Sequence, residues 1–521
     1  MKFNRRRVLD SLHETQLWDI VIIGGGATGL GTAVDAATRG YKTLLVEKYD
    51  FAKGTSSKST KLVHGGVRYL ANGDVKLVFS ALKERGLIFQ NAPHVSFVQS
   101  FIIPCYSVFS KLKFLIGLKL YDWMAGKLRI GSTALLKNKT LLQKLPHIKT
   151  KNLKGGVQYF DGQFDDARLA INLAQTAADS GAAVINYAEV TAISKDKDAL
   201  VNGIQFTDTT TKKSYTISAK AVINATGVFV DDILKLDTPT HKNLVRPSQG
   251  THVVVDAHFL GNTDALMIPE TSDGRVLFGV PWHGKVLLGT TDTPLDEHQI
   301  EPRPLEEEIA FILNTADQYL EHAPTRADVL SIFAGLRPLA APTESDRGST
   351  KEISRDHKLI ASPSNLITIT GGKWTTYRKM GEDTVNLAVR TAKLSPTPCK
   401  TTHHPIYGFT HDKYPGHWRV YGSSYTRIQE LITDDPTLAT RIHPDYEYCI
   451  AEVVWACRNE MVVKLEDFLA RRIRLLLLDA QASLVAAPTV AQVMARELDH
   501  DNTWVSKELD EYRILVKNYT F

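Results

Sequence analysis

The amino-acid sequence predicts an α/β protein with three parts: a parallel-sheet domain, an antiparallel β-sheet domain and a helical C-terminal domain. Residues 18–47 have the order strand, glycine-rich turn, helix and strand, which indicates a βαβ unit of a parallel sheet. Residues 244–342 alternate between short apolar segments and turns, as an antiparallel sheet does. Beyond residue 404 the apolar residues recur with helical spacing.

The composition is that of an ordinary globular protein. At 521 residues the chain is long enough for two or three domains, and its 43% hydrophobic and 23% charged residues are usual values. The net charge of +5 is compatible with an anionic ligand or a membrane surface but establishes neither. The four cysteines have no C-x-x-C spacing, so we predict no metal site and a reduced, cytosolic setting. No apolar run reaches the ~18 to 20 residues that span a bilayer, and the basic N-terminus lacks the apolar segment of a signal peptide.

The glycine-rich turn after the first strand has the spacing G-x-G-x-x-G. The buried strand Ile20–Ile23 ends in Gly24, and a helix is predicted from Leu30. We expect Gly24 to allow the tight turn, Gly26 to let the backbone approach a pyrophosphate, and Gly29 to let helix and strand pack closely. The helix N-terminus offers N–H groups to the phosphates.

Glu47 stands at the end of the second predicted strand, Leu44–Val46, 18 residues beyond Gly29. A carboxylate in this position accepts hydrogen bonds from ribose hydroxyls and repels a 2′-phosphate, which favours FAD or NAD over NADP. Because both strands, the helix and the acid follow one another at the expected spacing, we predict a Rossmann-type dinucleotide site rather than a purely structural turn.

Residues 51–70 form a small, polar and basic segment that contains a pair of glycines. Their sequence, FAKGTSSKSTKLVHGGVRYL, is rich in backbone N–H and hydroxyl donors that can approach a ligand closely. An NAD site has no evident use for such a segment beside the first βαβ unit, whereas a flavin ring needs a second wall. The segment therefore favours FAD.

These features resemble FAD-dependent, quinone-linked glycerol-3-phosphate dehydrogenases. The matching features are GGGATGLG at the turn, the acid Glu47, SSKSTKLVHGGVRYL and a later ATG at residues 225–227. Further motifs of that family follow within residues 18–390: HGG-x-RYL, a strand histidine, GTTD, G-x-RPL, S/T-RD and GGK-x-TTYR. The C-terminal domain resembles the family more loosely. The resemblance implies a flavoprotein fold similar to glutathione reductase and D-amino-acid oxidase, with a Rossmann-type FAD-binding domain and an antiparallel β-sheet substrate domain.

The resemblance and the glycine-rich segments together imply a set of FAD-binding residues. They come from the first turn, the end of the second strand, the polar segment, a later strand on the adenine side, the ATG turn, and a second Gly-Gly turn before a helix. These residues are Gly24, Gly26, Ala27, Thr28, Gly29, Glu47, Lys48, Thr55, Ser56, Ser59, Leu62, His64, Gly65, Gly66, Val190, Ala225, Thr226, Gly227, Gly372, Lys373, Thr375 and Thr376.

The remaining patterns suggest the domain boundaries. The Pro- and Thr-rich residues 395–404 indicate a linker before the helical domain. The C-terminal helices are predicted at 428–438, 446–460, 464–478 and 490–498. The proposed domains are an FAD-binding domain of residues 17–100, 155–240 and 355–394, a substrate-binding domain of residues 101–154 and 241–354, and a helical domain of residues 395–521.

Glycerol 3-phosphate, the substrate that the resemblance implies, requires a group that accepts the proton of its C2 hydroxyl. His252, on a predicted strand, is the first choice for this base, because arginine stays protonated in proteins. Arg337 lies in AGLRPL, where apolar neighbours would partly desolvate it, and Lys373 lies in a Gly-Gly-Lys turn. Both cations would stabilise negative charge on the hydroxyl oxygen as hydride leaves. We therefore predict that these three residues are catalytic, with a structural role as the alternative for each.

The phosphate of this substrate requires further cations. Arg68 and Tyr69 follow the HGG turn, Arg355 lies in ISRDH, and Thr290 lies on a predicted strand in the GTTD motif. A guanidinium group matches a phosphate through two parallel hydrogen bonds. We predict that Arg68, Tyr69 and Arg355 hold the phosphate and that Thr290 contacts the substrate.

Residues 109–124, FSKLKFLIGLKLYDWM, predict an amphipathic helix. The residues expected on its apolar face are Leu112, Leu115, Ile116, Leu120, Trp123 and Met124. The residues of its basic fringe are Lys111, Lys113, Lys119, Lys127 and Arg129. Such a helix either lies on an anionic lipid surface or buries its apolar face in the protein core, and the sequence leaves both interpretations open. A helix on a lipid surface would fit a cytoplasmic enzyme that is peripheral on the inner face of the cell membrane and reduces a membrane quinone.

Other functions also stay open. With O2 as the electron acceptor the protein would be an oxidase, and no residue in the sequence decides this. A catalytically inactive FAD-fold scaffold would be expected to lose Arg337 and Lys373, which are both present. A flavoprotein that modifies tRNA would need a basic face with aromatic platforms, and a charge of +5 spread along the chain argues against a nucleic-acid partner. A homodimer is neither indicated nor excluded.

Overall fold

The structure, a computed structural model, describes residues 3–67, 74–272, 274–340 and 357–521. Within these residues the strands form two sheets, and helices make up most of the chain beyond residue 400. The predicted α/β fold with a second sheet and a helical C-terminal region is confirmed.

The described residues contain the following regular elements. The strands are β1 (Trp18–Ile23), β2 (Thr43–Val46), β3 (Leu62–Val63), β4 (Ser96–Pro104), β5 (Ala134–Leu136), β6 (Gly156–Phe164), β7 (Ala183–Ile185), β8 (Ala188–Lys195), β9 (Val201–Asp208), β10 (Ser214–Asn224), β11 (Val245–Asp256), β12 (Ala265–Ile268), β13 (Leu277–Trp282), β14 (Lys285–Gly289), β15 (Thr293–Pro294), β16 (Val329–Ala340), β17 (His357–Ala361) and β18 (Ile367–Gly371). The α-helices are Arg5–Ser11, Ala27–Thr38, Val75–Asn91, Val108–Ala125, Asn138–Lys144, Asp166–Asp179, Val230–Asp237, Glu306–Tyr319, Tyr377–Thr391, Tyr425–Asp434, Ile450–Asn459, Leu475–Leu478, Ala480–Leu498 and Asn502–Val516.

The first sheet has a parallel centre in the order β18, β10, β1, β2, β7. Residues Ile20–Ile23 of β1 are buried on both faces of the sheet, which explains their continuous apolar run. The helix Ala27–Thr38 packs closely against the helix Tyr377–Thr391. A Cβ on Gly381 would lie 2.6 Å from the carbonyl oxygen of Gly31, so the two helix backbones are nearly in contact.

Strand β10 belongs to two environments. It runs without interruption from Ser214 to Asn224. Its first half pairs antiparallel with β9, with Ser214 opposite Thr207, and its second half pairs parallel with β1, with Ala221 opposite Ile20. The alternating pattern of the first half suits a half-exposed ribbon, whereas the apolar second half suits a buried parallel sheet. The strand ends at the ATG turn, which it places beside the end of β1.

The second sheet carries β15 and β16 on β11, followed in order by β14, β13, β12, β4, β6 and β3, with β5 on β6. Its pairings among the described residues are antiparallel, except that β12 and β4 are parallel, with Ala265 opposite Phe101. His252 on β11 lies opposite Gly289 of β14 and Phe333 of β16. This register brings His252 beside the end of β14 and beside Phe333 of β16.

The domain boundaries given above stay a prediction. Strand β6 falls within residues 155–240, which were assigned to the FAD-binding domain, yet it pairs with β4 of the second sheet along its whole length. The short strand β3 also joins the second sheet through β6. The chain therefore passes between the two sheets more often than the sequence pattern indicated.

The C-terminal helices pack against the second sheet through a buried apolar core that includes Val254 and Phe333. The predicted helix 464–478 is interrupted: Asp467–Arg472 form a π-helical turn, and Arg474 has a left-handed backbone with φ +60°. Arg471 and Arg472 of this turn bind the buried carboxylate of Asp50 at 2.5 and 2.7 Å, which joins the C-terminal domain to the first sheet.

Candidate active site

The turn between β1 and the helix Ala27–Thr38 brings backbone groups close together. Gly24 has φ +111°, and a Cβ on it would lie 2.7 Å from the carbonyl oxygen of Ala225. A Cβ on Gly29 would lie 1.9 Å from the carbonyl oxygen of Gly24. The helix is capped by Gly26, which has no side chain to cover its N-terminus. The turn therefore has the form of a pyrophosphate cradle at a helix N-terminus.

Glu47 supports this turn from the end of β2. Its carboxylate accepts the N–H groups of Gly25 at 2.6 Å and Tyr49 at 2.8 Å. Burial raises the pKa of Glu47 above its ordinary value, and these two hydrogen bonds oppose the rise. The contact with a ribose stays a prediction, but the same carboxylate fixes the Gly25 peptide of the cradle.

A first cavity, of about 580 Å³, lies beyond the cradle. It is lined by the cradle, the end of β2, part of the polar segment, β8, the ATG turn and residues 298–300. The predicted FAD-binding residues that line it are Gly24, Gly26, Ala27, Thr28, Glu47, Lys48, Thr55, Ser56, Val190, Ala225, Thr226 and Gly227.

A second cavity, of about 330 Å³, adjoins the first at Thr55, which lines both. It lies between the polar segment, the second sheet and the Gly-Gly-Lys turn. The other predicted site residues that line it are Ser59, Leu62, His64, Gly66, His252, Thr290, Arg337, Gly372, Lys373 and Thr375. Two adjoining cavities suit a ligand with two bulky halves.

Arg337 enters the second cavity from β16. Its Nη1 lies 3.2 Å from Oδ1 of Asp292, and its Nη2 donates to the carbonyl of Thr291 at 3.0 Å and to Oγ1 of Thr290 at 3.3 Å. The neighbouring strand leaves space for the group, because a Cβ on Gly250 would lie 2.4 Å from Nη2. The guanidinium is thereby held in one orientation.

His252 is almost completely buried, with 2% of its surface exposed. Its ring stacks on Phe333 with 4.9 Å between centroids, and its Nε2 lies 2.9 Å from Oγ1 of Thr60. Burial, together with the positive charges of Lys61 and Arg337, holds the pKa of His252 well below its ordinary value. The imidazole is therefore neutral near pH 7 and able to accept a proton.

The Gly-Gly-Lys turn closes the other side of the cavity. Gly371 and Gly372 have φ +78° and +76°, a conformation that favours glycine, and Lys373 lines the cavity after them. The indole N–H of Trp374 donates to the carbonyl of Ser56 at 2.8 Å. This hydrogen bond ties the turn to the polar segment.

Some of the predicted site residues line neither cavity, and others lie outside the residues that the structure describes. Arg68, Tyr69 and Arg355 lie outside the described residues. The predicted FAD-binding residues that line neither cavity are Gly29, Gly65 and Thr376. The N–H of Gly65 donates to the hydroxyl of Tyr121 at 2.7 Å, and the hydroxyl of Thr376 donates to the carbonyl of Lys373 at 3.1 Å. Both of these residues support the cavity wall from behind.

Several residues of the cavity wall were not predicted from the sequence. They are Lys58, Thr60, Phe101, Tyr159, Asp161, Met267, Val276, Phe278, Lys358 and Trp374. Lys58 and Thr60 stand inside the SSKSTK run, so their polar neighbours were an available signal. Phe101, Tyr159 and Phe278 come from β4, β6 and β13, which carry no motif, and only the sheet register brings them together. Trp374 directly follows the Gly-Gly-Lys turn.

The helix Val108–Ala125 packs its inner face on this region and exposes its outer face. Besides Val108 at its first position, the exposed apolar residues are Phe109, Leu112, Ile116, Leu120 and Trp123, with exposed fractions from 46% to 79%. Two residues predicted for that face lie elsewhere: Met124 is 5% exposed and Leu115 is half-buried against the core. At 100° per residue both are rotated off the stripe formed by the other five.

Comparison with known proteins agrees with this geometry. Residues 19–378 match the family described as FAD dependent oxidoreductase, and residues 365–504 match the family described as C-terminal domain of alpha-glycerophosphate oxidase. The mitochondrial glycerol-3-phosphate dehydrogenase of Arabidopsis thaliana is 38% identical over 96% of this chain and 86% of its own length. The mitochondrial glycerol-3-phosphate dehydrogenase of Homo sapiens is 38% identical over 98% of this chain and 74% of its own length.

Solved structures extend the similarity to three dimensions. Glycerol-3-phosphate dehydrogenase from Bacillus halodurans, complexed with FAD, is 30% identical with a TM-score of 0.80, over 98% of this chain and 97% of that one. L-alpha-glycerophosphate oxidase from Mycoplasma pneumoniae, with FAD bound, has a TM-score of 0.58 at 16% identity, over 75% of this chain and 99% of that one, and so shares the fold. The resemblance read from the motifs is confirmed: the chain belongs to the FAD dependent oxidoreductase family and carries the C-terminal domain of alpha-glycerophosphate oxidase.

Proposed function

We propose that this protein is an FAD-dependent dehydrogenase that oxidises the C2 hydroxyl of sn-glycerol 3-phosphate to the ketone of dihydroxyacetone phosphate. The observation that carries the proposal is that a buried neutral histidine and two cations, His252, Arg337 and Lys373, line one cavity next to the dinucleotide cradle. The names of the relatives support the same substrate.

The residues present fit FAD. Side chains at Gly24 and Gly29 would collide with backbone atoms, so the cradle stays open to a pyrophosphate, and the two cavities meet at Thr55. The first cavity, with Glu47 and Val190 in its wall, would hold the adenosine half. The second cavity would hold the flavin ring, which, when bound, supplies the hydride acceptor N5.

Arg337 and Lys373 act as fixed positive charges in this proposal. The hydroxyl oxygen of the substrate gains negative charge as hydride leaves C2. Cations whose positions are already set stabilise that charge without reorganising, which is the largest effect in many enzymes. Asp292 and Thr290 support the role of Arg337, because they hold its guanidinium in place.

His252 serves as the general base. Its low pKa keeps the imidazole neutral, and its position among the cations of Arg337 and Lys61 disfavours a permanent positive charge there. In this proposal Arg68, Tyr69 and Arg355 bind the phosphate of the substrate. Thr290 lies beside the reacting end of the substrate. These assignments follow from the family motifs, and their test is by mutation.

We further propose that electrons pass from the flavin to a quinone in an anionic membrane. Among the described residues no helix is both long and apolar enough to cross a bilayer, so contact with lipid would occur at the surface. The stripe from Phe109 to Trp123, flanked by the exposed Lys113 and Lys119, suits such a surface. Each basic group near an anionic surface contributes about 1 kcal/mol, which is enough for reversible attachment by a few of them. A peripheral location on the inner face of the cell membrane belongs to this proposal.

The experiment that tests the function is anaerobic mixing with sn-glycerol 3-phosphate while the flavin absorbance is followed. The expected result is one FAD per chain and complete bleaching by this substrate, with far slower bleaching by glycerol, which lacks the phosphate. A protein without a flavin spectrum, or one that glycerol 3-phosphate does not reduce, would contradict the proposal. The rate at which the bleached enzyme is reoxidised then identifies the electron acceptor. Faster reoxidation by a quinone in liposomes than by O2 supports a dehydrogenase. Faster reoxidation by O2 supports an oxidase.

A further inference from the structure

Thr60 and the buried His252 both line the second cavity and contact each other there. Its side chain is half-buried and lines the cavity, and its Oγ1 lies 2.9 Å from Nε2 of His252. The histidine itself is only 2% exposed, and its Nδ1 has no hydrogen-bond partner among the described residues. The hydroxyl of Thr60 therefore links the cavity to ring nitrogen Nε2 of His252.

We propose that the hydroxyl of Thr60 is a catalytic proton relay between the C2 hydroxyl of the substrate and Nε2 of His252. The O–H bond of the substrate breaks and its proton bonds to Oγ1 of Thr60, while the proton that Thr60 carried moves to Nε2. The C2–H bond breaks at the same time, and its hydride reduces the oxidised flavin, so that the alcohol becomes a ketone. The inference rests on the proposed function, in which His252 is the base.

The backbone at Thr60 is fixed by the residue that follows it. Lys61 is fully buried, and its Nζ donates to both carboxylate oxygens of Asp166, at 2.9 and 2.8 Å, and to the carbonyl of Ser57 at 2.6 Å. Asp166 also accepts the hydroxyl of Ser59 at 2.6 Å. The chain on both sides of Thr60 is thus anchored on one carboxylate, which suits a relay that must keep its distance to the imidazole.

The imidazole is fixed as well. It stacks on Phe333 at an angle of 20°, and on its other side a Cβ on Gly289 would lie 2.4 Å from its Cδ2. The Nζ of Lys61 lies 5.4 Å from the centroid of the same Phe333 ring. The cation of Lys61 therefore stands close enough to favour a neutral His252, in which one ring nitrogen accepts hydrogen bonds.

The decisive pair of variants is Thr60→Val and Thr60→Ser. Valine keeps the shape of threonine without a hydroxyl, whereas serine keeps the hydroxyl. The rate constant of flavin reduction by saturating glycerol 3-phosphate, measured by anaerobic stopped flow, should fall by ~10² in Thr60→Val, the usual scale of general acid–base catalysis. Thr60→Ser should retain most of the wild-type rate, and both variants should keep the flavin spectrum.

A proton inventory gives a second measurement that does not depend on the stability of a variant. Flavin reduction by the wild-type enzyme is measured in mixtures of H2O and D2O. If two protons move in the transition state, the rate constant of flavin reduction should depend on the deuterium fraction along a curve. We expect this curve in the wild type and in Thr60→Ser. A linear dependence in the wild type would overturn the relay, and so would a normal reduction rate in Thr60→Val.

The variant His252→Asn separates this inference from the proposed function. If His252→Asn is slow while Thr60→Val is normal, the base is correct and the relay is wrong. If His252→Asn reduces its flavin at the wild-type rate, the assignment of the base is wrong and the relay is overturned with it. Slow reduction in both variants, with recovery in Thr60→Ser, is the result we expect.

Discussion

Arg337 and Asp292 form an ion pair, with 3.2 Å between Nη1 and Oδ1, on the wall of the cavity that also contains His252. The guanidinium donates in addition to the carbonyl of Thr291 at 3.0 Å. Its orientation is therefore set by the protein before any substrate arrives. A charge positioned in this way stabilises negative charge that develops during the reaction without a cost of reorganisation.

Replacing Arg337 should slow turnover without loss of FAD. We expect Arg337→Ala to lower kcat by ~10² or more, the scale for loss of one electrostatic stabiliser. Arg337→Lys should recover only part of this, because lysine cannot make the parallel hydrogen bonds of a guanidinium. Steady-state kinetics with a soluble dye acceptor measure the effect. The control is Arg246→Ala, on the same sheet but paired with the exposed Asp296; if Arg337→Ala behaves like this control, its role is structural.

Lys373 should contribute to catalysis rather than to folding. It follows two glycines in a turn at the cavity wall, and we expect Lys373→Ala to keep the flavin spectrum but to lose ~10² or more in kcat. The matched control is Lys379→Ala, on the helix that follows, where the lysine pairs with Asp383 at 2.5 Å. Loss of FAD from Lys373→Ala, or turnover close to that of Lys379→Ala, would count against a catalytic role.

The pH dependence of flavin reduction should report His252. A base must be neutral, so activity is present above its pKa and is lost as the pH falls through that value. Burial and the charges of Lys61 and Arg337 lower this pKa well below the ordinary value of about 6.5. Single-turnover reduction at saturating substrate should therefore stay constant from about pH 8 to pH 6.5 and decline only below that range. A reduction rate that already declines at or above pH 6.5 as the pH is lowered would contradict a neutral, desolvated His252.

Binding to anionic liposomes should depend on the outer stripe of the helix Val108–Ala125. The triple variant Leu112→Ser, Ile116→Ser and Trp123→Ser should lose liposome binding in a flotation assay, because it removes three apolar side chains from the exposed stripe. Its activity with a soluble dye should remain, since none of the three side chains is buried. High salt should release the wild-type protein from the liposomes, because the basic fringe acts through screened charges.

Two controls define the outcome of this test. The double variant Val485→Ser and Ile514→Ser removes exposed apolar residues from the C-terminal helices, at 64% and 67% exposure, and should leave liposome binding intact. Leu118→Ser alters the buried inner face of the same helix and should lower the melting temperature. If the triple variant melts like Leu118→Ser, or still binds liposomes, the stripe is not a lipid-binding surface.

Much of the first domain could be predicted because its signals are local. The spacing of Gly24, Gly26 and Gly29 reflects backbone contacts within one turn, and the apolar run of β1 reflects burial on both faces. The amphipathic helix was also predictable from spacing. Its true exposed stripe, however, excludes Met124, because the sequence pattern does not state which flank of an apolar face meets the core.

The C-terminal helices were predicted less well. The π-helical turn Asp467–Arg472 exists where two arginines reach the buried Asp50, more than 400 positions earlier in the chain. The helix Asn502–Val516 was not predicted, although Asp501 caps it. Tertiary contacts, which local propensity does not contain, decide both.

The sequence by itself determined the glycine-rich turn and the type of fold, because the residues that produce these features are neighbours along the chain. The roles of Arg337 and Lys373 were predicted from motifs and stay a prediction. Only the tertiary structure decided which side chains share one cavity. The register of β11 with β14 and β16 places His252 beside Gly289 and Phe333, and the fold of the polar segment brings Thr60 to the same imidazole. The contact between Thr60 and His252 joins residues 192 positions apart. All three contacts arise from sheet pairing and burial, which no local motif encodes.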